Sequence, residues 1–181
     1  MRAFVAINLP EDVIDALSDL TSSLPVGKPV YDDNLHLTLA FLGDQAEDQL
    51  EQLHHELDTL KIQPFNLDFD GLGTFGGEAT RILFARIADS PALKDLHSQV
   101  RRAAHRAGMV LSRERYKPHV TLARFGRGGQ WRDAERLERF IADHATATLP
   151  SFLVAGFSLF QSTLHRDGAV HDVLAEYGMR P

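Results

Sequence analysis

Leu35-His36-Leu37-Thr38-Leu39 is a strand-like stretch, and its pattern returns at His119-Val120-Thr121-Leu122. Successive side chains of a β-strand point to opposite faces, so His36 and Thr38 share one face and the leucines lie on the other. The same parity places His119 and Thr121 together. Two such strands side by side would line a groove with two imidazoles and two hydroxyls. These groups suit acid–base chemistry on a phosphate.

The triplet His-x-Thr by itself is weak evidence, because short motifs recur by chance. A third copy, His144-Ala145-Thr146, follows a helix-like segment and lacks alternating apolar partners, so we interpret it as a helix end and connector. The other two copies have Val or Leu at alternate positions and follow Asp32-Asp33-Asn34 and Lys117-Pro118. A histidine satisfied by hydrogen bonds on an ordinary half-buried strand would explain either copy alone. The matched pair favours a shared site.

Size and composition limit the class of protein. The chain has 181 residues, enough for one large domain or two small lobes, and its 44% hydrophobic and 24% charged content is typical of soluble globular proteins. Its first ten residues predict a strand rather than a signal peptide. The absence of cysteine excludes disulfides and thiolate metal sites and favours a cytoplasmic protein. A net charge of −6 argues against tracking along nucleic acid, so an RNA ligand would be a terminus or a short piece.

Periodicity and turn signals predict helices and strands without regular βαβ alternation, which favours an α+β fold with antiparallel sheets. We expect strands near 2–8, 35–42, 65–69, 81–87, 118–125, 152–164 and 168–181, helices near 11–24, 45–60, 91–107 and 131–144, and a hairpin turn at 71–77. The two motif copies suggest a single domain, 1–181, made of two similar lobes. Each lobe would have an antiparallel sheet flanked by helices, with the active-site groove between them.

The motifs and their surroundings resemble those of the two-histidine (2H) phosphoesterases, most of all the RNA 2′,3′-cyclic phosphodiesterases once called 2′–5′ RNA ligases. The two signatures are Asn34-Leu35-His36-Leu37-Thr38-Leu39-Ala40-Phe41-Leu42-Gly43 and Lys117-Pro118-His119-Val120-Thr121-Leu122-Ala123-Arg124. Residues 1–7, 71–75, 81–84 and 162–177 resemble other segments of the family. The chain departs from it at Val30-Tyr31, where the family often has Trp, and at His171, where it has Tyr.

The resemblance implies hydrolysis of a 2′,3′-cyclic phosphate end to a 2′-phosphomonoester. It implies His36 as the general acid, or proton donor, and His119 as the general base, or proton acceptor. The residues alone leave this order open, because the two motifs are chemically alike. Thr38 and Thr121 would donate hydrogen bonds to the non-bridging phosphate oxygens.

Arg124 is the contested residue. The resemblance suggests that it contacts the phosphate or stacks on a base, whereas strand parity places it with Val120 and Leu122. Only a bulge or the strand's end would turn it into the groove. Phe41 has the same parity problem, so we interpret it as core. Tyr31 could stack on a base at the groove mouth, although we interpret it as an ordinary surface tyrosine.

We expect no cofactor and no metal, since neither motif is accompanied by an acidic cluster and two histidines alone make a poor zinc site. The expected partner is RNA or an oligonucleotide with a 2′,3′-cyclic phosphate end, with no membrane partner and a monomeric state. Alternative functions are 2′–5′ RNA ligation, hydrolysis of 2′–5′ oligonucleotides or cyclic nucleotides, and non-catalytic binding of RNA ends.

Overall fold

The structure is a computed structural model and describes residues 1–76, 80–113, 115–126, 131–166 and 168–179. Its helices are α1 (Glu11–Ser22), α2 (Glu47–Asp58), α3 (Pro91–Arg106) and α4 (Trp131–Asp143). Its strands are β1 (Arg2–Asn8), β2 (Lys28–Pro29), β3 (His36–Asp44), β4 (Phe65–Leu67), β5 (Phe69–Phe75), β6 (Ile82–Ile87), β7 (His119–Arg124), β8 (Phe152–Val154), β9 (Gly156–His165) and β10 (Gly168–Gly178).

The strands form antiparallel sheets, as the sequence predicts. The larger sheet has the order β10-β9-β1-β3-β7-β6-β5, with β2 also paired to β7, and a smaller sheet pairs β4 with β8. Strands β1 and β3 pair along their whole length, but β3 and β7 share the single pair Leu37 and Val120. Two groups of strands therefore meet at a narrow seam formed by the two motif strands. The division into two similar lobes stays a prediction.

Local signals explain where the helices begin and end. Helix α1 starts after Pro10 with two acidic residues in its first turn, which complement the positive end of the helix dipole. At α3, the Ser90 hydroxyl accepts a hydrogen bond from the backbone N–H of Leu93 at 3.2 Å. Gly108 follows this helix with φ +78°, a conformation that favours glycine. The helices cover the face of the large sheet that carries the core.

The two faces of the large sheet are different. On the helix-covered face, leucines and valines of the central strands are almost fully buried, among them Leu37, Leu39, Val120 and Leu122. The opposite face of β1 and β9 carries a small separate cluster of Phe4, Ala6 and Phe160. The sheet therefore has one face that carries the main core and a second face, called the open face below, that carries only this small cluster.

Each motif strand contains a β-bulge three residues after its histidine. Along β3, the pairing with β1 passes from Ala40 to Thr38 and skips Leu39. Along β7, the pairing with β6 passes from Ala123 to Thr121 and skips Leu122. The extra residue reverses the alternation of side chains beyond it. Both bulges leave two consecutive side chains in the core, and the residue five positions after each histidine returns to the histidine face.

Two predicted strands and one predicted turn differ from the structure. The strand expected at 65–69 is two strands of different sheets, and the one expected at 152–164 is also divided, at Ala155. The hairpin turn expected at 71–77 is wrong for residues 71–75, which lie inside β5; residues 77–79 are outside the described part of the chain. Gly73 stands in this strand because a Cβ there would lie 2.6 Å from the Phe84 ring.

Substitution of Leu122, the unpaired residue at the bulge of β7, tests the packing of the core beneath the seam. We expect Leu122→Ala to lower the free energy of unfolding by about 2–5 kcal/mol, because it removes a fully buried side chain and leaves a cavity. Urea denaturation measures the change. Val110→Ala is the control, since Val110 is 94% exposed and its truncation should change stability little. Equal unfolding midpoints for the two variants would contradict this description of the core.

Candidate active site

The four side chains of the two motifs line one cavity. His36, Thr38, His119 and Thr121 all contribute to a cavity of about 720 Å³ on the open face of the sheet. The antiparallel pairing at the seam explains their arrangement, because it places His36 beside Thr121 and Thr38 beside His119. An approximate twofold axis through the seam therefore relates the His36 motif to the His119 motif.

Both histidines are oriented by the carbonyl two residues earlier in the chain. His36 Nδ1 lies 2.8 Å from the Asn34 oxygen, and His119 Nδ1 lies 2.6 Å from the Lys117 oxygen. A carbonyl oxygen can only accept, so in each ring Nδ1 carries the proton and donates. The remaining nitrogen, Nε2, is then unprotonated in the neutral ring. It can accept a proton as a base or, once protonated, donate it as an acid.

Aromatic rings pack against both imidazoles. Phe4 stacks on His36 with ring centroids 4.8 Å apart. His119 is contacted by Phe75 at 4.9 Å and by Phe84 at 5.2 Å. These rings hold the imidazoles in place and remove water from one side of each. The sequence does not mark them as site residues, because they stand on other strands and belong to no motif.

The surroundings lower the pKa of both histidines. For His36, burial is the main cause, and repulsion from His171 is the second. Arg124 and His119 lower the pKa further. These effects outweigh the hydrogen bond to Asn34, which raises the pKa, and the result is a pKa of about 4. Burial and then Arg124 also lower the pKa of His119, against the hydrogen bond to its own carbonyl partner. Both rings are therefore neutral at neutral pH in the free protein.

Arg124 lies on the histidine face of β7. The bulge at Leu122 reverses the strand's alternation, so Arg124 lines the cavity together with His119 and Thr121. The parity argument that placed it with Leu122 on the core face was wrong, since that argument assumes a regular strand. Contact of Arg124 with a phosphate or a base stays a prediction.

Phe41 is the equivalent residue of β3, and the prediction that it belongs to the core was wrong for the same reason. Its side chain is 68% exposed and lines the cavity. Tyr31 is 62% exposed and also lines the cavity, with the Lys28 ammonium 5.8 Å from its ring centroid. The position of Tyr31 is compatible with either expectation for it.

Two further residues belong to the site. His171 of β10 lines the cavity, its ring contacts His36 edge-on at 5.3 Å, and its buried Nδ1 has no hydrogen-bond partner among the described residues. Tyr116 donates a hydrogen bond to the Thr38 backbone oxygen at 3.1 Å, which ties the segment before β7 to β3 across the seam. The third motif copy lies elsewhere: His144 directly follows α4 and packs on Phe140, as its interpretation as a helix end implies.

The hydroxyls of Thr38 and Thr121 make no hydrogen bond within the described ranges, which leaves both available to a ligand in the cavity. In that part of the chain, no three His, Asp or Glu side chains come together as a metal site. Nor does it contain a helix long and apolar enough to cross a membrane.

A family model confirms the resemblance. The model of the 2′-5′ RNA ligase superfamily matches residues 9–165, and the chain belongs to this family. An RNA 2′,3′-cyclic phosphodiesterase of Thermus thermophilus is 32% identical over 196 residues, which cover 99% of this chain and 91% of the relative.

Two other similar proteins match this chain, one over half of its own length and one over nearly all of it. An RNA 2′,3′-cyclic phosphodiesterase of Geobacillus stearothermophilus is 32% identical over 158 residues, 83% of this chain, and the match spans half the length of that relative. Among solved structures, E. coli LigT in complex with 3′-AMP superposes with a TM-score of 0.80 at 25% identity, covering 99% of this chain and 98% of the other. The α+β fold with antiparallel sheets is therefore the fold of this relative.

The contact between His171 and His36 predicts a measurable pKa change. In His171→Gln, the repulsive neighbour is lost, so the pKa of His36 should rise from about 4 towards 6.5. NMR titration of the ring protons measures this shift. His165→Gln is the matched control, because His165 also lines the cavity but does not contact the His36 ring. An unchanged pKa of His36 in His171→Gln would show that the two rings do not interact electrostatically.

Proposed function

We propose that this protein hydrolyses 2′,3′-cyclic phosphate ends of RNA to 2′-phosphomonoesters by metal-independent two-histidine acid–base catalysis. The observation that carries the proposal is the convergence of two histidines and two threonines on one cavity, with each imidazole oriented by the backbone carbonyl two residues before it. The relatives named as RNA 2′,3′-cyclic phosphodiesterases support the choice of substrate. The 3′-AMP complex of E. coli LigT supports a nucleotide in the cavity.

The reaction follows from the chemistry of the two rings. His119, through its unprotonated Nε2, removes a proton from a water molecule as the water oxygen forms a bond to phosphorus. The bond from phosphorus to the ribose 3′-oxygen breaks, and His36 delivers a proton from Nε2 to that oxygen. The phosphate remains on the 2′-oxygen. Each proton transfer typically contributes a factor of about 10²–10⁴ to the rate.

The threonines and Arg124 act on the phosphate itself. The Thr38 and Thr121 hydroxyls flank the seam and donate to the non-bridging oxygens, which fixes the phosphate for in-line attack. Arg124 supplies a guanidinium on the same face and balances the charge that develops on those oxygens.

The protonation state of His36 depends on the substrate. With a pKa of about 4 in the free cavity, His36 is neutral at neutral pH, whereas the proposed acid must carry a proton. A bound phosphodiester anion attracts the imidazolium and offsets the Arg124 charge, and both effects raise the pKa of His36. The assignment of acid and base rests on the family resemblance, since the free cavity alone favours a neutral His36.

Substitution of either histidine tests the proposal. His36→Ala and His119→Ala should each reduce turnover of an RNA with a 2′,3′-cyclic end by about 10²–10⁴, measured by mass spectrometry of the 2′-phosphate product. His144→Ala is the control, since it alters the third His-x-Thr copy and should leave turnover unchanged. A protein that only binds RNA ends would show no turnover in any form. Strong inhibition by a chelator would contradict the metal-free scheme.

A substrate with sulfur in place of the 3′-bridging oxygen distinguishes the general acid from the general base. If the 3′-bridging oxygen is replaced by sulfur, the leaving group is a thiolate that needs no general acid. His36→Ala should then recover most of its lost activity, whereas His119→Ala should not. Recovery of His119→Ala instead would reverse the assignment.

The lowered pKa values predict the pH dependence of kcat/KM, which reports the free enzyme. One ring must be neutral and the other protonated, so activity peaks between two pKa values that both lie below 6.5, and it declines once the pH exceeds the higher of them. Arg124→Gln removes a cation that lowers both pKa values, so the alkaline limb should move to higher pH as the rate falls. A wild-type optimum above pH 7, or an alkaline limb unmoved in Arg124→Gln, would contradict this account.

A further inference from the structure

The hairpin of β9 and β10 extends beyond the strand that supports it. Strand β9 pairs with β1 from Ser158 to Gln161, and β10 is the edge strand of the described sheet, paired with β9. Residues 163–166 and 168–170, called the hairpin end below, therefore lie past the paired part of β1. A two-stranded ribbon without further support is marginally stable in water. Contacts outside the ladder must fix the position of the hairpin end.

The hairpin end lines the cavity beside the first motif. His171 pairs with Ser162 at its base, and both residues line the cavity. The His171 ring contacts the Phe4 ring at 4.9 Å and the His36 ring at 5.3 Å. The residues of the hairpin end that line the cavity are Leu164, His165, Arg166, Gly168 and Ala169.

The side chain of Asn34 holds the hairpin end. Its Nδ2 donates a hydrogen bond to the Ala169 backbone oxygen at 2.8 Å. In the described part of the chain, this is the one hydrogen bond that connects the hairpin end to another element. Both residues are half-buried, so water competes less for this bond than for an exposed one.

The backbone of Asn34 is itself fixed. Asn34 is the last residue of a short 3₁₀ turn, in which its N–H donates to the Tyr31 oxygen at 2.8 Å. The next N–H, that of Leu35, donates to the Asp32 oxygen at 3.0 Å. The Asn34 carbonyl accepts the hydrogen bond from His36 Nδ1 at 2.8 Å. One residue thus contacts the His36 ring through its backbone and the hairpin end through its side chain.

The orientation of His36 does not need the Asn34 side chain. At the second motif, the equivalent residue is Lys117, whose carbonyl orients His119 and whose ammonium lies 5.6 Å from the Phe75 ring centroid. Every residue supplies a backbone carbonyl, whereas few supply a side-chain amide donor. The amide at position 34 therefore serves the contact with the hairpin end.

We propose that Asn34 is a positioning residue, whose amide holds the hairpin end at the cavity and thereby keeps the His171 ring in contact with the His36 ring. Asn34 acts through these two rings and not on the substrate. This inference rests on the proposed function for the role of His36 as the general acid. It goes beyond that function in assigning a role to a residue outside both His-x-Thr triplets.

The position of the hairpin end affects the protonation of His36. His171 faces this ring from β10, and His119 and Arg124 face it from β7; all three lower its pKa, and burial lowers it most. His171 in turn is influenced by Arg124 and Asp172. When the hairpin end moves away, His36 gains water and loses a repulsive neighbour. Both changes raise its pKa above about 4.

NMR of Asn34→Ala tests the proposal without relying on turnover. In the wild type, the ring protons of His171 and His36 should give a nuclear Overhauser cross-peak. In Asn34→Ala, we expect this cross-peak to be lost and the pKa of His36 to rise from about 4 towards 6.5. Asn34→Leu fills the space of the amide without supplying a donor, and it should show the same two changes.

A double variant shows whether Asn34 acts through His171. If both substitutions disturb the same contact, adding Asn34→Ala to His171→Gln should shift the pKa of His36 less than Asn34→Ala does in the wild type. Fully additive shifts would contradict this route and overturn the proposal.

Asn66→Ala is the matched control, because it removes the same amide from an exposed position on β4 outside the cavity. It should change neither the cross-peak nor the pKa of His36. Loss of stability in Asn34→Ala with an unchanged cross-peak and an unchanged pKa would mean that the amide only stabilises the fold. That result would also overturn the proposal.

The outcome is distinguishable from that of the proposed function. If the wild type hydrolyses cyclic phosphate ends but Asn34→Ala keeps the ring contact and the pKa of His36, the function stands and the positioning role is wrong. If the wild type hydrolyses no such end but Asn34→Ala loses the ring contact, the function is wrong and the positioning of His171 by Asn34 stands.

Discussion

The antiparallel contact of Leu37 with Val120 determines the geometry of the whole site. It is the one residue pair that joins β3 to β7, and it sets the relative position of all four motif side chains. Because both residues are fully buried, a shift of the seam by one residue would move each histidine to the core face. The hydrogen bond that the Tyr116 hydroxyl donates to the Thr38 carbonyl stabilises the same register, although Tyr116 is not itself part of either strand. The chemistry of the cavity thus depends on a short stretch of backbone pairing.

Desolvation and positive charge act together in this cavity. Aromatic rings and the sheet remove water from the imidazoles, and Arg124 adds a cation beside them, so both histidines lose protons more readily than usual. Without a ligand, the site is a neutral pair of bases next to a guanidinium. Under the proposed function, an anionic substrate changes this balance by its own charge, and the binding of a phosphate is then coupled to the protonation of a histidine.

Much of the fold and of the site could be predicted from the sequence. Amphipathic helices, strand parity around the two His-x-Thr copies and the acidic or proline-marked helix starts are local signals, and the structure has these elements. The residues of the aromatic shell could not be predicted, because Phe4, Phe75 and Phe84 reach the histidines through strand pairing that local patterns do not encode. The glycines around Gly73 predict a turn, whereas Gly73 lies in a strand and leaves space for the Phe84 ring. Strict alternation assigns Phe41 to the core and leaves Arg124 undecided, because the rule holds only for regular strands and both strands carry a bulge.

The shared bulge changes how sites of this kind can be found in sequences. A strict two-residue alternation selects positions two and four after each histidine, whereas positions two and five line the cavity. The alternation of side chains between the two faces therefore shifts by one residue midway through each strand. A search pattern or a designed copy of this groove has to include the extra residue. Without it, the side chain that follows the histidine and the threonine on this face would point into the core.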